Sequence, residues 1–76
     1  MKNQNTKLFE QDMNKTFQHG YFTNIIKNSN GMELFLPNIM DEHRGNLIAT
    51  FLRNKYQIQA LYFVKSKSIK VFYDKQ

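Results

Sequence analysis

The chain has no cysteine, which excludes disulfides, thiolate metal sites and a cysteine nucleophile, so stability must come from packing or self-association. It has no tryptophan, a single proline at Pro37 and three isolated glycines, Gly20, Gly31 and Gly45, so no glycine-rich loop is available to cradle a phosphate. Arginine is scarce, with Arg44 and Arg53 against nine lysines. Lysine is a point charge and arginine a bidentate fork, so this balance favours attraction to a polyanion backbone over reading of bases. No apolar run is long enough to cross a bilayer, and the opening MKNQNTKLFE carries no apolar stretch of signal-peptide length. A cytoplasmic location without a membrane partner is therefore expected.

What is present is aromatic and cationic. Seven Phe and four Tyr in 76 residues can build one small core, close to the lower limit at which a chain folds unaided. Residues 1–5 read as a flexible tail and residues 6–76 as a single compact domain. Charge is uneven along it. Residues 1–43 hold four lysines against five acids, a net of −1, whereas residues 44–76 hold seven cations against Asp74 alone, a net of +6. The positive field belongs to the second half. Lysine there has a second use, since it also keeps edge strands from pairing with neighbours.

From Thr6, an expected N-cap, Leu8, Phe9, Met13 and Phe17 recur at helical spacing until Gly20, a residue type that stops helices. The runs YFTNIIK (21–27) and MELFL (32–36) flank Asn28-Ser29-Asn30-Gly31 and predict a β-hairpin. A two-residue Asn30-Gly31 turn would pair Ile26 with Phe35, and a four-residue loop would pair Ile25 with Leu34. Pro37 ends the strand. Asn38 then reads as an N-cap, with Asp41 and Glu42 in a first turn, and Met40, Leu47, Ile48, Phe51 and Leu52 fall on one arc of a helix over 39–55. Gly45 weakens that helix, the alternative being a short helical turn followed by a main helix from Asn46, and Arg44 and Lys55 flank its apolar arc.

The last twenty residues predict a second hairpin. With a reversal at Ser66 and Lys67, Val64 faces Ile69, Tyr62 faces Val71 and Ala60 faces Tyr73, giving one apolar face. The other face then carries Leu61 beside Phe72 and Phe63 beside Lys70, with Lys65 near the turn. The order helix-strand-strand-helix-strand-strand predicts an α+β fold, a four-stranded antiparallel sheet packed with two helices. Three arrangements are open to it: both helices on one face, one helix on each face, or a homodimer in which a copy covers the apolar face.

With the second sheet face uncovered, Phe63 and Phe72 are stacking platforms for unpaired bases, with Tyr62 or Tyr73 in their place if the faces are inverted. Lys65, Lys67, Lys70 and Lys75 would track phosphates, joined by Arg53 and Lys55 from the helix. The reading is a small non-enzymatic binding or regulatory domain whose C-terminal hairpin docks nucleic acid. The rival reading is an inhibitor or adaptor, of the accessory type mobile elements encode, that covers part of a larger protein such as a nucleic-acid-handling enzyme. No string of an RNA-recognition motif, GxxG clamp or C2H2 zinc pattern is present.

No enzyme is expected, and no cofactor. Asp41-Glu42-His43-Arg44 is the one cluster mixing acid, imidazole and guanidinium, but on a helix its members diverge. His19, His43 and Asp12 lack the spacing of a metal site. Ser66 and Ser68 read as turn residues or modification sites. A membrane-surface helix does not fit either, because the first helix mixes Glu10 and Asp12 with Lys7 and Lys15.

Overall fold

The computed structural model describes residues 2–73, with side chains from Thr6 to Tyr73. Its elements are α1 (Lys2–Gln18), β1 (Asn24–Asn28), β2 (Gly31–Phe35), α2 (Glu42–Tyr56), β3 (Gln59–Phe63) and β4 (Ser68–Phe72). The four strands form one antiparallel sheet in the order β1-β2-β4-β3, so each hairpin gives one central and one edge strand. This is the α+β fold read from the sequence.

Helix α1 begins at Lys2, so Thr6 lies inside it rather than at its N-cap. It stops where expected. Gly20 takes φ +86, its N–H donates to Phe17 O (2.9 Å), and the Tyr21 N–H donates to Thr16 O (3.2 Å). This pair of reversed bonds closes a helix whose last carbonyls would otherwise lack partners, and it needs a residue free to adopt positive φ.

The first hairpin takes the register that pairs Ile25 with Leu34, and its ladder continues to Asn28 and Gly31 around a Ser29-Asn30 turn. Asn28 Oδ1 accepts the Asn30 N–H (2.8 Å), a side-chain turn that narrows the four-residue loop of this register to two residues, and the alternative Asn30-Gly31 turn is not formed. The second hairpin is displaced by two residues from expectation: Phe63 pairs with Ser68, Tyr62 with Ile69 and Ala60 with Val71. A two-residue turn would need positive φ at its first central residue, whereas the turn actually formed, Val64–Lys67, needs it at Lys67 alone (φ 51). A slip of two preserves which face each side chain occupies.

Both helices lie on one sheet face. Ile25, Leu34, Ile69 and Tyr62 make one cross-strand row of that face, and Met32, Val71 and Ala60 make the next. Over them sit Phe9 and Met13 of α1 and Ala49, Leu52 and Tyr56 of α2. The Phe9 ring stands edge-on to Tyr56 (5.2 Å) and Tyr73 (6.3 Å), joining both helices to the sheet. The arrangements with a helix on each face are thereby excluded.

Helix α2 starts later than expected. Asp41, not Asn38, is its N-cap, in extended backbone (φ −91, ψ 176) with Oδ1 accepting the Arg44 N–H (2.9 Å), while Asn38 sits in the preceding turn. The buried stripe of α2 is Gly45, Ala49, Leu52 and Tyr56, whereas Leu47 and Phe51 of the expected arc are 55% and 56% exposed. Small residues explain the rotation. A Cβ on Gly45 would lie 2.5 Å from the Tyr62 ring, so the helix backbone itself rests on that ring and the bulkier positions turn aside.

Candidate functional site

The sheet face away from the helices carries three cross-strand rows: Asn24, Phe35, Ser68 and Phe63; then Ile26, Glu33, Lys70 and Leu61; then Asn28, Gly31, Phe72 and Gln59. Strand alternation puts them there, because their neighbours in each strand fill the core. No described element covers this face. Phe63 is 38% exposed and Phe72 40%, and Leu61 and Ile26 are exposed beside them. On ladder geometry the two rings stand roughly 14 Å apart, diagonally across β3 and β4.

Lys70 lies between them, its Nζ 4.9 Å from the centre of the Phe63 ring. That contact holds the ammonium over an aromatic face without consuming its hydrogen bonds. Lys65 and Lys67 are exposed in the Val64–Lys67 turn at the Phe63 end. The turn is docked through Lys67 O, which accepts the Leu36 N–H (2.9 Å). Near Phe72 the face opens into a hollow of about 450 Å³, bordered by Gly31, Phe72, Glu33, Lys70 and Asn28 among others.

From the ladder partner of Phe63 runs a hydroxyl relay. Ser68 is fully buried, and its Oγ donates to Glu33 Oε2 (2.6 Å). The single Ser68 proton is committed there, so at the 2.6 Å contact between Ser66 Oγ and Ser68 Oγ it is Ser66 that donates. Ser68 is therefore a structural residue rather than a modification site.

Of the cations expected on this surface, the structure brings Lys70 onto Phe63 and leaves Lys65 and Lys67 exposed in the turn at the Phe63 end, with Phe72 at the other end of the face. It does not bring Arg53 or Lys55. Helix α2 packs on the inner face, so Arg53 can reach only the edge of β3, where Nη1 donates to Ala60 O (2.7 Å) and Nη2 to Thr50 Oγ1 (2.9 Å). Lys55 stays in the helix layer, 5.6 Å from the Phe51 ring and 5.4 Å from that of Tyr56. Lys75 lies outside the described residues. Glu33, Phe35 and Ile26 belong to the face and were not among the expected residues. Their membership depends on β2 pairing with β4, a contact between hairpins that neither hairpin encodes alone.

Tyr62 and Tyr73, the substitutes for inverted faces, point inward. Tyr73 Oη donates to Glu10 Oε2 (2.8 Å), and Glu10 also pairs with Lys27 (3.0 Å). Tyr56 Oη donates to Asp12 Oδ2 (2.6 Å). Burial, then the hydrogen bond and charge of the carboxylate, pushes both phenols well above their ordinary value of 10. Asp12 is thus engaged across the helix pair, and His19 and His43 are exposed elsewhere. Among the described residues no three His, Cys, Asp or Glu side chains gather as a metal site, and no helix is long and apolar enough to cross a membrane.

A second concavity of about 260 Å³ lies in the helix layer, lined by Met13, Phe22, Leu36, Ile48, Phe51 and Leu52. Its walls are almost wholly apolar. Comparison of the chain with protein-family models, with curated proteins and with solved structures finds no match.

Proposed function

We propose that this chain is a non-enzymatic binding module that takes up single-stranded nucleic acid on the outer face of its sheet. The observation that carries the reading is the uncovered pair Phe63 and Phe72 with the Lys70 ammonium between them. Rings on an open sheet stack with unpaired bases, and each such contact contributes about 1–3 kcal/mol. Paired bases in a duplex have no face to offer them. Lys65 and Lys67 extend the positive field past one end of the platform, and the net +6 of residues 44–76 draws a polyanion toward it. Two stacked bases and a few phosphate contacts give an affinity on the order of micromolar at low salt.

A second reading is favoured by the middle row of the face, where Ile26 and Leu61 flank the oppositely charged Glu33 and Lys70. An apolar field with balanced charge suits a protein surface, which would make the chain an adaptor or inhibitor of a larger partner. One experiment separates the two. A fluorescent single-stranded oligonucleotide is titrated at 50 and 200 mM salt with the wild type and with Phe63→Ala/Phe72→Ala. The nucleic-acid reading expects binding that weakens with salt and a loss of about tenfold or more in the variant, measured where circular dichroism shows the variant folded. Absence of binding at 50 mM overturns it, and capture of a partner from nuclease-treated lysate through the same two rings then supports the second reading.

A further inference from the structure

Glu33 is an acid at the centre of a surface read as a nucleic-acid platform, and its placement has a chemical consequence. It sits on central strand β2, directly across the ladder from Lys70. Lys70 nevertheless directs its ammonium over the Phe63 ring. The Glu33 carboxylate is instead oriented by the relay from Ser66 through Ser68, which ends on Oε2. No hydrogen bond or ion pair engages Oε1 among the described residues.

Resting on the nucleic-acid reading, we infer that Glu33 makes this surface prefer bases that carry exocyclic amines and disfavour thymine and uracil. A carboxylate repels phosphates, so the ligand backbone keeps toward Lys65, Lys67 and Lys70, and the base stacked on Phe72, which borders the same hollow as Glu33, turns its edge to the carboxylate. What meets Glu33 is then a base edge. A carboxylate only accepts hydrogen bonds. Adenine, cytosine and guanine each present an amine to it, as in the pairing of acidic side chains with cytosine N4. Thymine and uracil present one imino N–H flanked by two carbonyl oxygens, which a carboxylate repels. A good base contact of this kind discriminates by roughly tenfold or more.

The test uses equal-length fluorescent oligomers of dC, dA and dT at one low salt concentration. Wild-type protein binds dC and dA about tenfold more tightly than dT. In Glu33→Gln the amide oxygen still accepts from Ser68 and the new N–H₂ donates to carbonyls, so dT binding rises to within about twofold of the others. Equal wild-type affinity for the three oligomers overturns the role of Glu33 while leaving the platform reading intact, and that ratio decides even if the variant fails to fold. A ratio unchanged by Glu33→Gln in a folded variant also overturns it. Failure of all three to bind overturns both this inference and the reading beneath it.

Discussion

At the scale of single residues, Gly45 is the position where backbone and side chain meet most closely. A methyl group there would lie 2.5 Å from Cδ1 and Cε1 of Tyr62 and 2.8 Å from Cγ, near the root of the side chain rather than at its flexible end. In an exposed helix, Gly→Ala would add about 1 kcal/mol of stability. Overpacking costs about 1–3 kcal/mol, so the net expectation for Gly45→Ala is no gain and a loss of up to about 2 kcal/mol. Urea denaturation of the variant measures it. In the Tyr62→Ala background the same substitution should cost nothing or stabilise, and a stabilised Gly45→Ala in the wild-type background would mean that α2 does not rest on this ring. In the sequence Gly45 reads only as a weak point in a helix, because a close approach depends on a residue seventeen positions away. Gly20 was legible, because the reversed bonds it permits are local. Lys67 was not, since a lysine at positive φ carries no compositional mark.

Elements are joined here by two phenol–carboxylate bonds, Tyr56 to Asp12 between the helices and Tyr73 to Glu10 between the end of the sheet and α1. Each tyrosine holds its proton more tightly in the folded chain than the ordinary 10 of the unfolded one. Below pH 10 this contribution to stability is complete. Above it the unfolded state binds fewer protons than the folded state, so stability falls as pH rises. Tyr56→Phe/Tyr73→Phe should lose a few kcal/mol at pH 8, about 1–2 for each bond. Its unfolding free energy should then decline less steeply between pH 10 and 12 than that of the wild type. Parallel declines in the two proteins would show that other groups carry the alkaline dependence. Long-range pairs of this kind cannot be read from sequence, where Asp12 looks like any acid on a helix. The elements themselves were legible, because Asn-Ser-Asn-Gly, Pro37 and the alternation from Ala60 to Tyr73 are local features. The inward face of α2 was not. Ranking side chains by hydrophobicity selects Leu47 and Phe51, whereas contact with the sheet is decided by the small residues Gly45 and Ala49.

For the whole molecule, the division of labour between the two layers decides how many charges a ligand on the outer face can meet. The sequence assigns +6 to residues 44–76, but the fold divides those cations between layers. Lys65, Lys67 and Lys70 border the outer face, Arg53 is tied to the β3 edge, and Lys55 lies over rings of the helix layer. The legible part of the site, the exposure of Phe63 and Phe72 on one face, survived a register error because a slip of two keeps parity. The distribution of charge did not, since it depends on which face the helices cover. Single-stranded nucleic acid gives a slope of log affinity against log salt of about −0.7 for each phosphate contact. Three lysines therefore predict a slope of about −2, and Lys65→Gln should reduce it to roughly −1.4. Lys55→Gln should leave it unchanged. Anisotropy titrations across 25–200 mM salt measure all three values. A slope near −4, falling when Lys55 is replaced, would mean that the ligand wraps the sheet edge onto the helices, and the outer face would then be only part of the binding surface.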